Sequence, residues 1–117
     1  MVNILEQGSN DLLLQKWTVE YKKGYSKPLI LYALSDSRSY PYLLTKKILE
    51  LTKGQISIAG SNIYPMLSKL EEENLIISEK DENDRKYYML SESGKNFLIS
   101  LDHAIKEFLD IIARMNP

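Results

Sequence analysis

The sequence predicts a mainly α-helical chain carrying one small β-hairpin. Three observations point there. Apolar residues recur at steps of three and four in several separate segments. Two runs rich in β-branched and aromatic residues flank the polar knot Asp81-Glu82-Asn83-Asp84. A Ser-capped segment then continues from Ser91 to about Met115 without a proline.

The elements follow in order. Ser9 or Asn10 caps a helix over about residues 10–23, with Asp11 in its first turn, Lys22 and Lys23 in its last and Gly24 as its stop. Its apolar face, Leu13, Leu14, Trp17 and Tyr21, is expected to pack on the domain's own core, the alternative being a partner subunit. Pro28 opens a short buried helix, Leu29-Ile30-Leu31-Tyr32-Ala33-Leu34, broken by the turn formers Ser35 to Ser39. Pro41 starts the next helix, with Leu44, Ile48 and Leu51 as its stripe and Gly54 as its end. Gln55 to Ile58 alternates and reads as a brief strand. Ile63, Leu67 and Leu70 mark another amphipathic helix, stopping near Asn74, a residue tolerant of the left-handed conformation. The hairpin follows, Leu75 to Lys80 against Arg85 to Leu90. In the last helix Leu98, Leu101, Ile105, Phe108 and Ile112 form a heptad-type seam that Phe97, Leu109 and Ile111 widen. A helix of that length spans about 36 Å, more than the domain covers, so part of the seam is expected to meet another chain.

Composition narrows the chemistry. The 117 residues hold 15 Lys+Arg and 16 Asp+Glu, a formal charge of −1, which argues against a uniformly basic nucleic-acid binder while leaving room for a local basic face. With no Cys and a single His, thiol catalysis, disulfides and Cys/His metal clusters are excluded, and no cofactor is expected. His103 reads as a surface or interface residue, and no convergent acid, base and nucleophile points to an enzyme. No apolar run approaches the roughly 18 residues of a membrane span, and no leader pattern follows Met1, so a cytoplasmic protein is expected.

Helix, helix, short strand, helix and hairpin is the order of a winged helix-turn-helix, whose third helix enters the DNA major groove. Here that fold gains an extra N-terminal helix and a long C-terminal dimerisation helix. The run Gly60-Ser61-Asn62-Ile63-Tyr64-Pro65-Met66-Leu67-Ser68-Lys69-Leu70-Glu71-Glu72-Glu73-Asn74-Leu75-Ile76 resembles the signature of the PadR family of transcriptional regulators. So do Arg85-Lys86-Tyr87-Tyr88, then Leu90-Ser91-Glu92 with Gly94, and Tyr42-Leu43-Leu44-Thr45-Lys46-Lys47-Ile48. The resemblance covers roughly residues 27–112. Asn74 stands where the family usually has Gly, as does Pro41, and Leu43 stands where it often has Glu. The resemblance implies a dimeric winged helix of the compact subfamily, with residues 1–25 contributing to the dimer, 26–90 binding DNA and 91–117 pairing protomers. It further implies a repressor acting as a homodimer on an inverted-repeat operator, possible binding of a small aromatic ligand at the interface near Trp17, Tyr21, Phe97 and Phe108, and action on its own promoter.

The DNA-binding candidates are Ser61, Asn62, Tyr64, Ser68, Lys69, Tyr42, Lys46, Arg85 and Lys86. Asn62 and Ser68 suit base edges, Asn because its amide pairs bidentately with adenine, whereas Tyr64 and Lys69 suit phosphate. Lys46 and Lys47 sit on the helix that crosses the backbone. Competing readings are that Tyr64 packs under its helix and that Arg85 and Lys86 pair with Asp81 or Asp84. Pro65 predicts a first turn that is irregular or begins late, with open amides toward phosphate. Residues 25–60 hold five basic and two acidic side chains, and residues 61–90 four basic and seven acidic. The acidic wing tip is therefore expected to splay from the duplex, leaving Arg85, Lys86 and Lys80 to engage it. The dimer candidates are Trp17, Leu98, Leu101, Ile105, Phe108, Leu109 and Ile112. A winged-helix module that binds protein without specific DNA recognition is the rival reading, favoured by the acidic pI near 5.8.

Overall fold

The computed structural model describes residues 4–117, with side chains from residue 8 onward. Its elements are α1 (Ile4–Lys23), α2 (Ser26–Leu34), α3 (Pro41–Leu51), α4 (Gly60–Glu72), β1 (Ile76–Lys80), β2 (Lys86–Leu90) and α5 (Glu92–Ala113). None of the described helices is long and apolar enough to cross a membrane.

Local chemistry explains the boundaries. Helix α1 begins well before the expected Ser9 or Asn10 cap and tolerates Gly8 in its interior, a residue costing about 1 kcal/mol there. Pro28 lies in the first turn of α2 rather than opening it, where its missing amide is not needed. Pro41 takes the first position of α3 for the same reason. The α3 stripe is buried at Leu44 and Ile48, while Leu51 is exposed. Asn74 adopts φ +62°, the left-handed turn that ends α4. Ser91 caps α5, its hydroxyl oxygen accepting the Gly94 amide at 2.9 Å.

The hairpin pairs antiparallel in the register Ile76↔Leu90 to Lys80↔Lys86. The strand expected over Gln55–Ile58 does not form. The free edge of β2 is occupied instead by Ser39, which exchanges both hydrogen bonds with Tyr88 at 2.9 and 2.8 Å. Without a partner strand, Gln55–Ile58 serves as a connector. The Ile56 amide donates to Thr52 Oγ1 at 3.0 Å, and Ile58 drops into the core.

That core lies among α2, α3 and α4, on Ile30, Leu31, Leu44, Ile48, Ile63 and Leu67, and is closed by Ile76, Tyr88, Leu90 and Leu98. Outside it the chain is extended. Its extents are 62 × 31 × 22 Å and its radius of gyration 17.4 Å, against about 13 Å for a compact chain of this length. The excess is carried by α1 and the far half of α5. The apolar face of α1 does not reach the core: Leu13, Leu14, Trp17 and Tyr21 are all exposed, Trp17 by 64%. Of the alternatives weighed for this face, burial in the chain's own core is therefore corrected, because α2 to α5 and the hairpin already enclose that core.

Helix α5 is held to the domain at its first three turns. Tyr32 donates its hydroxyl to Asp102 at 2.6 Å, and burial together with that carboxylate pushes the phenol up to about 12. At the start of the helix, Gly94 packs directly on the Leu75 backbone. A Cβ there would run into the Leu75 carbonyl oxygen and lie 2.9 Å from its carbonyl carbon. Because both sides of that contact are backbone, Gly94→Ala is expected to cost about 3 kcal/mol, read as a fall in the urea midpoint. Gly60→Ala, where nothing lies within 4 Å of the added carbon, is the control and should leave the midpoint essentially in place.

Candidate nucleic-acid interface

Helix α4 divides by its 3.6-residue period. Ile63, Leu67 and Leu70 are buried with Met66 half-buried beside them, which turns Ser61, Pro65 and Ser68 directly outward. Asn62 and Lys69 occupy one shoulder of that outward row and Tyr64 the other, and all three are exposed. Tyr64 is 58% exposed, so it does not pack beneath the helix.

The helix is continuous from Gly60. It thus starts late, close to Ser61 rather than back at Ser57, as Pro65 leads one to expect, and its first turn is helical rather than irregular. The Ala59 carbonyl accepts both the Asn62 and the Ile63 amides, at 2.9 and 3.2 Å, and Pro65 is carried on the solvent side, where its ring meets no packed neighbour. The cost is one helical hydrogen bond, to the Ser61 carbonyl. Open space around Gly60 leaves the N-terminal end of the helix accessible to an anion.

On α3, Tyr42 is 67% exposed and the Lys46 ammonium lies 4.6 Å from the centre of its ring. Lys47 is different: it is half-buried and paired with Asp36. The hairpin distributes its charges unexpectedly. Lys86 turns toward α4, where it pairs with Glu71 at 3.7 Å. Arg85 lies 4.2 Å over the ring of Tyr40, and Asp84 pairs with Lys80 at 3.3 Å, so neither wing cation pairs with Asp81 or Asp84 as the competing reading had it.

Asp81 organises the tip. Its Oδ1 accepts the backbone amides of Asn83 and Arg85, both at 2.9 Å, and its Oδ2 accepts the Tyr40 hydroxyl at 2.6 Å. These bonds, the Tyr40 hydroxyl above all, hold the Asp81 carboxyl below the usual carboxylate range, while the same bond pushes the Tyr40 phenol up. The tip is thereby tethered to the segment just before α3 and does not swing free. Local sequence patterns missed Tyr40 and Arg38, whose guanidinium lies 4.3 Å over Tyr87. Both residues sit in what reads as a turn-forming stretch, and their partners are more than 40 positions away.

The apolar residues assigned to self-association separate into two groups. Leu98 belongs to the chain's own core, a correction to its place in the seam, and Leu101 packs on that core's edge. Ile105 is half-buried, and Phe108, Leu109 and Ile112 are exposed, as is Trp17 on α1. His103 is exposed, 3.7 Å from Glu107. Among the described residues no group of three or more His, Cys, Asp or Glu is placed to hold a metal ion. A cleft of about 550 Å³ opens between the end of α1 and the N-terminal half of α4, with Val19, Ile56 and Met66 in its walls and Lys22 and Asn62 among its polar groups.

Comparison with known proteins places this geometry. Residues 30–100 match the profile described as the transcriptional regulator PadR-like family. Over 75 residues the chain is 36% identical to the transcriptional regulator YqjI of Escherichia coli (strain K12), a stretch covering 64% of this chain and 36% of that protein. The match thus spans about a third of that relative's length. A transcriptional regulator from Clostridium thermocellum shares the fold at a TM-score of 0.75 and 23% identity, over 84% of this chain and 96% of that one. A PadR family regulator from Eggerthella lenta DSM 2243 aligns at 0.72 and 25% identity, over 92% and 98%. Bacillus subtilis PadR, solved in complex with operator DNA, aligns at 0.56 and 28% identity, over 78% of this chain and 48% of that one.

The tether at the wing tip has a defined pH dependence. Asp81 has a folded pKa below its unfolded value of about 3.9, so its contribution is complete above that value and is lost as pH falls through the lower, folded one. Amide chemical shifts of Asn83 and Arg85 should therefore titrate together with a midpoint below the ordinary carboxylate value. A midpoint at or above it would contradict the tether.

Proposed function

We propose, from the premise that this chain belongs to the PadR-like family of transcriptional regulators, that it binds an inverted-repeat operator as a homodimer and represses transcription by occupying it. The single observation carrying this reading is the outward row of α4. Ser61, Pro65 and Ser68 stand directly opposite a buried apolar stripe with Asn62 and Lys69 on one shoulder, all exposed, on a helix whose N-terminal end is open. In this reading Asn62 and Ser68 read base edges, and Lys69, Tyr64, Tyr42 and Lys46 take phosphates. Pro65 presents an apolar ring suited to a thymine methyl. Lys86, turned toward Glu71, contributes less than Arg85. The solved complex of Bacillus subtilis PadR with operator DNA supports the reading by relationship.

Pairing of two chains follows from the same geometry. Operators of this kind present half-sites about 34–36 Å apart, so two recognition helices need a fixed separation. The exposed residues of α5 beyond Asp102 and the apolar side chains of α1 supply a surface for it. Residues 1–25 and 91–117 then form the pairing layer and 26–90 the reading head. Trp17, Tyr21, Phe97 and Phe108 would line the paired interface, where a small aromatic effector would enter.

Two measurements test this. Selection of bound duplexes from a random pool is expected to return an inverted repeat, and Lys69→Ala should lower affinity for all duplexes alike while reducing the salt slope by about 0.9. An unchanged slope sinks the phosphate role of Lys69. Sedimentation should find the wild type dimeric at micromolar concentration and the double variant Ile105→Glu, Phe108→Glu monomeric; a monomeric wild type refutes the pairing.

A further inference from the structure

Strand alternation places Arg38 and Tyr40 on the outer face of the wing. Ser39 between them is bonded to Tyr88 through both backbone groups and turns its own side chain inward, where it is 8% exposed. The same alternation sends Tyr88 and Leu90 to the core and Tyr87 to the opposite face, where it is itself only 6% exposed. There the four side chains stack in the order Arg38, Tyr87, Tyr40, Arg85. The Arg38 guanidinium lies 4.3 Å over the Tyr87 ring, the two rings meet edge to face with centroids 6.0 Å apart, and the Arg85 guanidinium lies 4.2 Å over the Tyr40 ring.

The carboxylates nearest these guanidiniums have other hydrogen-bond or ion-pair partners. Glu79 accepts the Tyr87 hydroxyl at 2.8 Å, Asp81 accepts that of Tyr40 at 2.6 Å, Asp84 pairs with Lys80, and Asp36 pairs with Lys47. Among the described residues neither Arg38 nor Arg85 forms an ion pair. Two arginines free of ion pairs thus stand on one aromatic platform, Arg85 within coulombic reach of Asp81, at the edge of the hairpin nearest the start of α3.

We propose that Arg38 is a DNA-backbone contact of the wing, forming with Arg85 a two-guanidinium clamp on phosphate oxygens beside the groove entered by α4. Stacking uses the flat face of a guanidinium and leaves its edge N–H groups free for bidentate bonds to phosphate. It also fixes a long side chain beforehand, so less rotamer freedom is lost on binding. The clamp rests on the DNA-binding reading above. It gives the acidic hairpin a cationic edge that segment charge counts do not reveal.

The test measures affinity against salt for the wild type and for Arg38→Gln, Arg38→Lys and Lys69→Ala, on the selected duplex and on a random one. Arg38→Gln is expected to weaken both duplexes equally, on the order of tenfold, and to lower the salt slope by about 0.9. Arg38→Lys keeps the charge and the slope but binds several-fold more weakly, because an ammonium cannot both stack and fork. Arg38 is exposed, so both variants should melt with the wild type, and Arg38→Lys provides the readout should the glutamine variant fail to fold. Wild-type slope and affinity in the Arg38 variants, beside a reduced slope for Lys69→Ala, overturn the clamp alone. No salt-dependent binding by the wild type overturns the DNA-binding reading and the clamp with it.

Discussion

The fold depends on one crowded junction, where the backbone of Leu75 meets the start of α5. Asn74 turns the chain out of α4 with a positive φ. Ser91 then ties the exit of that helix to the entry of the last one, its amide donating to the Leu75 carbonyl at 3.1 Å and its hydroxyl to the Asn74 carbonyl at 2.7 Å. Gly94 lies flat against the same backbone because no side chain fits between. The end of α4, the first residue of β1, the last of β2 and the start of α5 therefore move as one body. With Tyr32 fastened to Asp102 one helix away, the direction of α5 is set by the helix that would read DNA. Under the proposed pairing, the angle at which two α5 helices cross sets the separation of two α4 helices, with no flexible element between.

The charge distribution becomes intelligible once the partners are known. A formal charge of −1 suits weak general attraction to polyanions. Locally, several acids of the hairpin region are structural: Asp81 caps the tip turn, Glu79 holds Tyr87, and Glu71 accepts the Ser78 hydroxyl at 3.0 Å and pairs with Lys86. These carboxylates are committed to structural hydrogen bonds, and Glu71 alone among them is offset by an ion-paired cation. Lys46, Lys69, Arg38 and Arg85, by contrast, have no carboxylate partner among the described residues. An acidic chain can thus present a cationic edge, and strong binding would depend on engaging that edge together with the outward row of α4.

Much of this was legible in the sequence because it is local. The steps of three and four from Ile63 to Leu70, the Ser91 cap and the hairpin around residues 81–84 each depend on residues within a few positions of one another. What local pattern could not show is contact across the chain. Gln55–Ile58 alternates like a strand, but whether an alternating segment pairs is decided by a free edge, and Ser39 had taken that of β2. The side chain of Tyr40 finds Asp81 and Arg85, that of Arg38 finds Tyr87, and nothing near residues 38–40 encodes either meeting. The apolar face of α1 is a third kind of case. Periodicity finds such a face and is silent on which surface covers it, and the core here was complete without it.

Pro65 has a consequence for how a reading head searches. The helix keeps its register past the proline because Leu67 and Leu70 are locked in the core, but the turn before it lacks the bond that an amide at 65 would make. Local opening takes least free energy where few bonds and few buried contacts resist it, so only Gly60 to Asn62, ahead of the buried Ile63, can loosen while the rest of α4 stays fixed. A protein sliding along non-cognate duplex benefits from a compliant probe, and one stopped at its target benefits from a stiff one. Under the proposed DNA binding, a weak point at the tip would let a single helix be soft in transit and firm on arrival, with the ordering of its first residues as the step that distinguishes the two.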